Sequence, residues 1–167
     1  AIAISYLRSQ KLVGYEDNIA VIDLDAHRGN GFEDIFKADS SVKNFDIYNF
    51  QTYPGGFHDD DGIEDSPFMI PLRAGTKGRD YLEILEEELP NFFDAHPLPV
   101  IAFYNAGTDI LESDPLGGLK VSYNDVLERD RFVISSLMER NIPTVVMTSG
   151  GYTRDSYKLV AELAKTI

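Results

Sequence analysis

The chain has 167 residues, 43% of them hydrophobic and 26% charged, which is enough to bury a core and excludes disordered, collagenous and fibrous proteins. Its 15 basic and 28 acidic side chains give a formal net charge of −13, which disfavours nucleic acid and anionic membranes and favours cationic partners such as lysine-rich tails or polyamines. No cysteine is present, so any metal would need histidine and carboxylate ligands.

Four short apolar runs have the β-branched content of buried strands. They cover residues 19–25, 42–48, 100–104 and 144–148. None alternates cleanly between apolar and polar residues, which is typical of strands covered on both faces. The sequence therefore predicts a three-layer α/β fold, an open parallel sheet with helices on both faces.

Amphipathic segments accompany these strands. A helix is predicted over residues 1–10, and another begins at Asp80, where Pro90 should kink or interrupt it. The next helix begins at Ser122, whose side chain can cap it, and a last helix follows Thr153. The inward face predicted for this last helix consists of Tyr157, Val160, Ala161 and Ala164.

Polar side chains follow three of the predicted strands, in residues 23–31, 105–109 and 149–152. Ligands of open α/β sheets bind beyond the carboxyl ends of the strands. We therefore expect these three segments to meet at one edge of the sheet and to form the functional site.

Asp25 and His27 are alternate residues of an extended segment, so both can grip one metal ion together with a carboxylate such as Asp109. Three protein ligands leave a position open, which is typical of catalytic zinc that polarises a carbonyl and acidifies a bound water. Asp23 could orient these ligands or hold a second cation. In the alternative interpretation, the aspartates cap turns and His27 is a surface residue. Two carboxylates and a histidine at the end of a buried strand favour the metal.

Gly150 and Gly151 precede Tyr152 after the last strand. They can form a simple strand-to-helix turn, or they can bring the backbone close to a ligand and aim the Tyr152 hydroxyl at a developing oxyanion. The segment lacks both glycine patterns of nucleotide-binding loops. Asp109 has a similar alternative, as a turn residue that begins a short helix.

The acidic segment 58–65 is similar to a calcium-binding loop but does not fit one. With Gly62 at the sixth position, Phe57 and Phe68 would occupy the first and twelfth, so a solvated loop is the interpretation that we favour. His58 and His96 lack metal-ligand spacing and are interpreted as surface residues.

Five motifs follow one another along the chain. They are residues 22–31 (IDLDAHRGNG), 53–55 (YPG), 104–112 (YNAGTDILE), 114–118 (DPLGG) and 148–152 (TSGGY). Taken together, these motifs resemble the zinc-dependent histone deacetylase superfamily, and most of all its class IV branch. The resemblance covers roughly the second half of the family's catalytic domain, and it implies that residues 1–167 are a single domain, the C-terminal part of that catalytic domain.

The resemblance implies zinc ligation by Asp25, His27 and Asp109, and stabilisation of the tetrahedral intermediate by the Tyr152 hydroxyl. It also implies that Gly150, Gly151 and Asn30 belong to the loops around the substrate.

The resemblance further implies a structural monovalent cation, potassium or sodium. Asp23 would support a catalytic histidine and also bind this cation, with Asp46 and the Ile47 carbonyl as further ligands. A second monovalent site would use backbone atoms of Phe36, Asp39 and Val42.

The sequence departs from the family pattern in three ways. The tandem histidines that supply the family's general base are absent, and the resemblance places them before residue 1, so the chain would be a fragment. Asn30 stands where class I members have an aspartate, which fits the class II and IV pattern, and it is not the aspartate of two-manganese arginases. Arg28 stands where histidine or glutamine is more usual and adds a positive charge beside the metal ligands.

The function implied is zinc-dependent hydrolysis of acyl-lysine amides in proteins such as histones, with poor activity from this chain alone. Two alternatives stay open: a non-catalytic module that binds acyl-lysine or cationic peptides, and an acetylpolyamine amidohydrolase. The absence of a signal peptide or long apolar run predicts a cytoplasmic protein. Apolar sheet surface left uncovered would favour a homo-oligomer or association with a partner.

Overall fold

A computed structural model describes residues 1–55 and 67–167, and the described residues form a five-stranded parallel sheet. In chain order the strands are β1 (Ile19–Asp23), β2 (Val42–Asn49), β3 (Met69–Leu72), β4 (Ile101–Asn105) and β5 (Thr144–Met147). Their spatial order is β3-β2-β1-β4-β5, so β1 lies at the centre and β3 and β5 form the edges. All neighbouring strands are parallel, as predicted.

Helices cover both faces of this sheet, which confirms the predicted three-layer α/β fold. In chain order they are α1 (Ile2–Ser9), α2 (Asn30–Phe36), α3 (Gly78–Ala95), α4 (Tyr123–Glu139) and α5 (Ser156–Thr166). The larger apolar cluster joins one face of the sheet to α3, α4 and α5. The smaller cluster joins the opposite face to α1 and α2. None of these helices is long and apolar enough to cross a membrane.

The four predicted strands are present, but β3 was not predicted. This short strand contains Pro71, which cannot donate to a ladder and is tolerated because β3 lies at the sheet edge. The predicted strand over 19–25 ends earlier, at Asp23, so Asp25 and His27 lie in the loop beyond β1.

The helices differ from the prediction in three ways. Pro90 does not interrupt α3, which continues to Ala95 because Leu89, Phe92 and Phe93 on both sides of the proline are buried against the sheet. Helix α2 was not predicted. The inward face of α5 was predicted wrongly: Leu159 and Leu163 are its buried residues, whereas Tyr157, Ala161 and Ala164 are exposed and Val160 is half-buried.

The register of the central strands brings three polar side chains to one row of the sheet. Asp23 at the end of β1 is paired with Asp46 in β2 and with Asn105 at the end of β4. The loops that leave β1, β4 and β5 therefore start side by side at the carboxyl edge, where the sequence predicts the functional site.

Candidate metal centre

Asp25, His27 and Asp109 form a compact group beyond β1 and β4. One ligand atom from each side chain lies within 4.8 Å of the others. His27 Nδ1 lies 3.0 Å from Asp25 Oδ1 and 3.0 Å from Asp109 Oδ2. Both aspartates are buried and His27 is half-buried. The three residues predicted as metal ligands are thus brought together.

Backbone amides fix the two carboxylates. The Ala26 N–H donates to Asp109 Oδ1 at 2.8 Å, and the His27 N–H donates to Asp25 Oδ1 at 2.8 Å. On its other side Asp25 Oδ2 accepts from the Ser149 hydroxyl at 3.2 Å and the Gly150 N–H at 3.1 Å. The carboxylate oxygens of Asp25 and Asp109 therefore connect the three loops that follow β1, β4 and β5.

Two glycines allow the loops to approach this closely. A methyl group at Gly150 would overlap Asp109 Oδ2 and would lie 2.5 Å from Asp25 Oδ2. A methyl group at Gly107 would lie 2.9 Å from the Asp25 Cα. A side chain at either position would collide with the acidic group, so close packing requires glycine there as well as the turn.

The carboxylates are crowded enough to change their acidity. Burial and the neighbouring Asp25 charge raise the pKa of Asp109 to about 6. The same two causes raise the pKa of Asp23 to about 7. Because negative charge is disfavoured at both positions, a cation at this edge would be strongly favoured electrostatically.

A second acidic pair lies next to this group: the half-buried Asp23 and the fully buried Asp46. Asp23 Oδ1 accepts from the Asn105 amide at 2.7 Å and from the Asp25 N–H at 3.2 Å. Asp46 Oδ2 accepts from the Gly29 N–H at 2.9 Å, but the buried Asp46 Oδ1 has no hydrogen-bond partner. Burial and the Asp23 charge raise the pKa of Asp46 well above its usual range. Ile47 follows Asp46 in β2 and is buried.

Tyr152 lines the same open cavity as Asp25 and His27. The cavity measures about 430 Å³, and Ser149 and Tyr53 also line it. The Tyr152 side chain is largely exposed, and its backbone N–H donates to Asp114 Oδ2 at 2.8 Å. The acidic group and Tyr152 therefore border the same cavity.

Arg28 also lines this cavity, but its charge is already paired. Its Nε and Nη2 donate to the two carboxylate oxygens of Glu33 at 3.0 and 2.8 Å, and its guanidinium lies 5.8 Å from the centre of the Tyr48 ring. Asn30 begins α2.

Other residues singled out from the sequence lie apart from this group. The carbonyls of Phe36 and Asp39 accept backbone bonds of a turn, and the Asp39 carboxylate pairs with Arg8. His96 is half-buried and packs on Phe92, so its interpretation as a plain surface residue is wrong. The whole acidic segment 58–65, which includes His58, lies outside the described residues.

Three residues of the site were not predicted as contributors. Asn105 and Ser149 bind the carboxylates of Asp23 and Asp25, and Asp114 holds the backbone of Tyr152. Asn105 and Ser149 lie in the polar segments predicted at the ends of two strands, and Asp114 begins the motif at 114–118, so these positions were the available signal.

Comparison with known proteins now decides the family. The model of the histone deacetylase domain matches residues 1–166. The chain belongs to the histone deacetylase family. Histone deacetylase 2 of Arabidopsis thaliana is 39% identical over 144 residues, which cover 86% of this chain and 36% of that protein.

Two solved structures share the fold of this chain. An HDAC homologue solved in complex with SAHA is 25% identical, with a TM-score of 0.76 over 98% of this chain and 43% of its own. An acetylpolyamine aminohydrolase from Burkholderia pseudomallei is 24% identical, with a TM-score of 0.76 over 99% of this chain and 47% of its own. This histone deacetylase-family chain thus spans less than half the length of these relatives. Its place in class IV stays a prediction.

Proposed function

We propose that this chain supplies the zinc site and the oxyanion-stabilising tyrosine for hydrolysis of acyl-lysine amides. The observation that carries the proposal is the group of Asp25, His27 and Asp109 within 4.8 Å, in a cavity that Tyr152 also lines. Family membership makes amide hydrolysis the reaction to test first.

The donor set fits zinc. One imidazole nitrogen and two carboxylate oxygens are ligands that zinc takes readily, and three protein ligands leave a coordination position for substrate. The raised pKa of the fully buried Asp109 indicates that its charge lacks compensation without a cation. When bound there, zinc would polarise the amide carbonyl and lower the pKa of a coordinated water.

The chain's own residues would perform the other steps. The Tyr152 hydroxyl would donate a hydrogen bond to the carbonyl oxygen as negative charge develops on it. Ser149 and the Gly150 N–H would keep Asp25 in place through Oδ2. The sequence contains no adjacent histidines, so we expect slow hydrolysis from this chain unless other residues supply a general base.

Acyl-lysine is the substrate class that we favour, and acetylated polyamines are the alternative. Both are cationic or belong to cationic chains, which suits a net charge of −13. The 39% identity to the Arabidopsis histone deacetylase favours acyl-lysine.

The first experiment combines elemental analysis with an assay of acetate release. We expect about one zinc ion per chain, lost in Asp109→Ala and retained in the exposed-surface control Asp80→Ala. Zinc-loaded protein should release acetate from acetyl-lysine peptides faster than from acetylpolyamines. The reverse preference would identify a polyamine enzyme. Zinc-dependent peptide binding with no release at all would support the non-catalytic module, and two manganese ions would overturn the one-zinc site.

We also propose that Asp23, Asp46 and the Ile47 carbonyl hold a structural potassium or sodium ion. The partnerless, buried Asp46 Oδ1 supports this, because a buried acceptor normally has a partner. Replacing potassium chloride with tetramethylammonium chloride at equal ionic strength should lower the melting temperature of the native protein and leave that of Asp46→Asn unchanged. Equal responses of the two proteins would contradict the proposal.

Self-association and a cytoplasmic location stay predictions. The edge strand β5 exposes Val145 and Met147, an apolar face that association could cover. Sedimentation of the native protein and of Val145→Thr would test whether this face mediates it. A monomer at all concentrations would contradict the predicted oligomer.

A further inference from the structure

A fully buried arginine lies directly beneath the metal centre. Arg129 belongs to α4, and its Nη1 donates to two backbone carbonyls, Leu24 at 3.1 Å and Gly107 at 2.6 Å. Leu24 immediately precedes Asp25, and Gly107 lies two residues before Asp109. One nitrogen therefore joins the two loops that carry the carboxylates of the acidic group.

These contacts occur where the parallel ladder ends. β1 ends at Asp23 and β4 at Asn105, so the loops beyond them are no longer joined by regular strand pairing. A backbone bond from the Leu24 N–H to the Asn105 carbonyl, at 3.1 Å, connects the two segments at this point. The two bonds from Arg129 also connect these loops, at Leu24 and Gly107, which lie closer to Asp25 and Asp109.

A second set of contacts fixes the guanidinium. Arg129 Nε donates to Asp130 Oδ1 at 2.9 Å, and the same oxygen accepts from the Tyr104 hydroxyl at 2.5 Å. Asp130 and Tyr104 are also buried. Because the guanidinium is planar and keeps its donors at fixed angles, holding Nε against Asp130 also directs Nη1 at the two carbonyls.

From this arrangement we infer that Arg129 is a positioning residue for the zinc site, which sets the separation of Asp25 and Asp109. The inference rests on the proposed zinc function. A buried ion pair by itself contributes little net stability, and apolar replacement can even stabilise a protein. What distinguishes Arg129 is that its donors reach the backbone of both ligand loops.

The test compares metal binding by two variants of the same buried network. Arg129→Lys keeps a positive charge beside Asp130, but a single ammonium cannot reproduce the planar set of donors. Tyr104→Phe is the matched control, because it removes the Tyr104–Asp130 bond and leaves the Arg129–carbonyl bonds intact. Affinity for zinc is measured by competition with a chelating dye, and site geometry by the visible absorption of the cobalt-substituted protein.

We expect Arg129→Lys to bind zinc about 10–100-fold more weakly, the range found when supporting contacts of metal ligands are lost. Its cobalt absorption bands should also change in position or intensity. Tyr104→Phe should lower the free energy of unfolding but leave zinc affinity and the cobalt spectrum as in the native protein. Arg129→Gln, whose amide can donate to one of the two carbonyls, is the second variant and should bind zinc with reduced affinity.

Native affinity and an unchanged cobalt spectrum in folded Arg129→Lys would overturn the inference and leave the proposed zinc site standing. Equal losses of affinity in Arg129→Lys and Tyr104→Phe would overturn it too, because affinity would then follow stability alone. Failure of both Arg129 variants to fold, with Tyr104→Phe folded, would show a purely structural role. If native protein binds neither metal, the zinc site itself is wrong and the inference fails with it.

Discussion

The backbone N–H of Tyr152 donates to the buried carboxylate of Asp114, 2.8 Å away. The other Asp114 oxygen accepts from the N–H groups of Leu116 at 2.9 Å and Gly117 at 3.3 Å. Asp114 thus connects the loop after β4 to the proposed oxyanion-stabilising residue. The orientation of Tyr152 therefore depends on a side chain that lies outside the acidic group.

The substitution Asp114→Asn should affect catalysis and not metal binding. The side-chain amide that it introduces keeps one oxygen acceptor, so the variant must lose the bond either to Tyr152 or to Leu116 and Gly117. We expect kcat for acetyl-lysine peptide to fall about tenfold, since small displacements of a positioned group are costly. The control is Asp155→Asn at the start of α5. A zinc affinity reduced as much as kcat would contradict this division of roles.

Removal of the Tyr152 hydroxyl should have a larger effect on the reaction. In Tyr152→Phe the developing oxyanion loses a hydrogen-bond donor, which typically costs about 100-fold or more in kcat. The exposed Tyr157→Phe is the matched control. Zinc stoichiometry and peptide affinity should stay native, because neither depends on this hydroxyl. Unchanged turnover would remove Tyr152 from the mechanism and favour the binding-module alternative.

The close approach at Gly150 predicts that even one methyl group will damage the metal centre. In Gly150→Ala the added carbon would overlap Asp109 Oδ2, so the carboxylates must separate and zinc binding should be lost. Gly31→Ala in α2 is the control, since nothing lies within 4 Å of the added methyl group. That variant should bind zinc normally and gain up to about 1 kcal/mol of stability from higher helix propensity. Native zinc stoichiometry in Gly150→Ala would refute the predicted steric conflict.

The raised pKa of Asp23 predicts how the stability of metal-free protein depends on pH. Folding raises this pKa from 3.8 to about 7, so the folded state holds a proton that the unfolded chain has released. The resulting stabilisation is complete below pH 3.8 and is lost as the pH rises through about 7. With a chelator present and tetramethylammonium chloride as the only salt, Asp23→Asn should therefore gain stability relative to native protein as the pH rises from about 4.5 to about 7.5.

Urea unfolding at a series of pH values measures this difference. The control, Asp94→Asn, changes an exposed carboxylate on α3 and should run parallel to the native curve. A constant difference between Asp23→Asn and native protein across this pH range would contradict the assigned cause.

The sheet and the acidic group could both be predicted from the sequence, for one physical reason. Buried parallel strands are continuous apolar runs, so the polar residues that end them are conspicuous, and parallel strands place those ends at one edge. That reasoning predicted that Asp25, His27 and Asp109 lie close together, although His27 and Asp109 are 82 positions apart in the chain. Their role as zinc ligands stays a prediction.

Arg129 and Asp130 show what the sequence left hidden. They occupy the same helical stripe as Val126, Val133 and Leu137, all buried, but charged residues are usually assigned to solvent, so their burial was not predicted. The α5 face was wrong for a different reason. Tyr157, Val160, Ala161 and Ala164 have the same helical spacing as a true apolar stripe, and alanines do not distinguish one face from another.

The pairing of β1 with β4 has a further consequence for how the protein folds. Asp109 is 82 residues from His27 along the chain, so an unfolded chain holds these groups far apart and has no site for a shared ion. Contacts between such distant segments form slowly, because a long loop must close first. A cation that needs both loops would therefore bind only after the two central strands have joined, and once bound it would slow their separation.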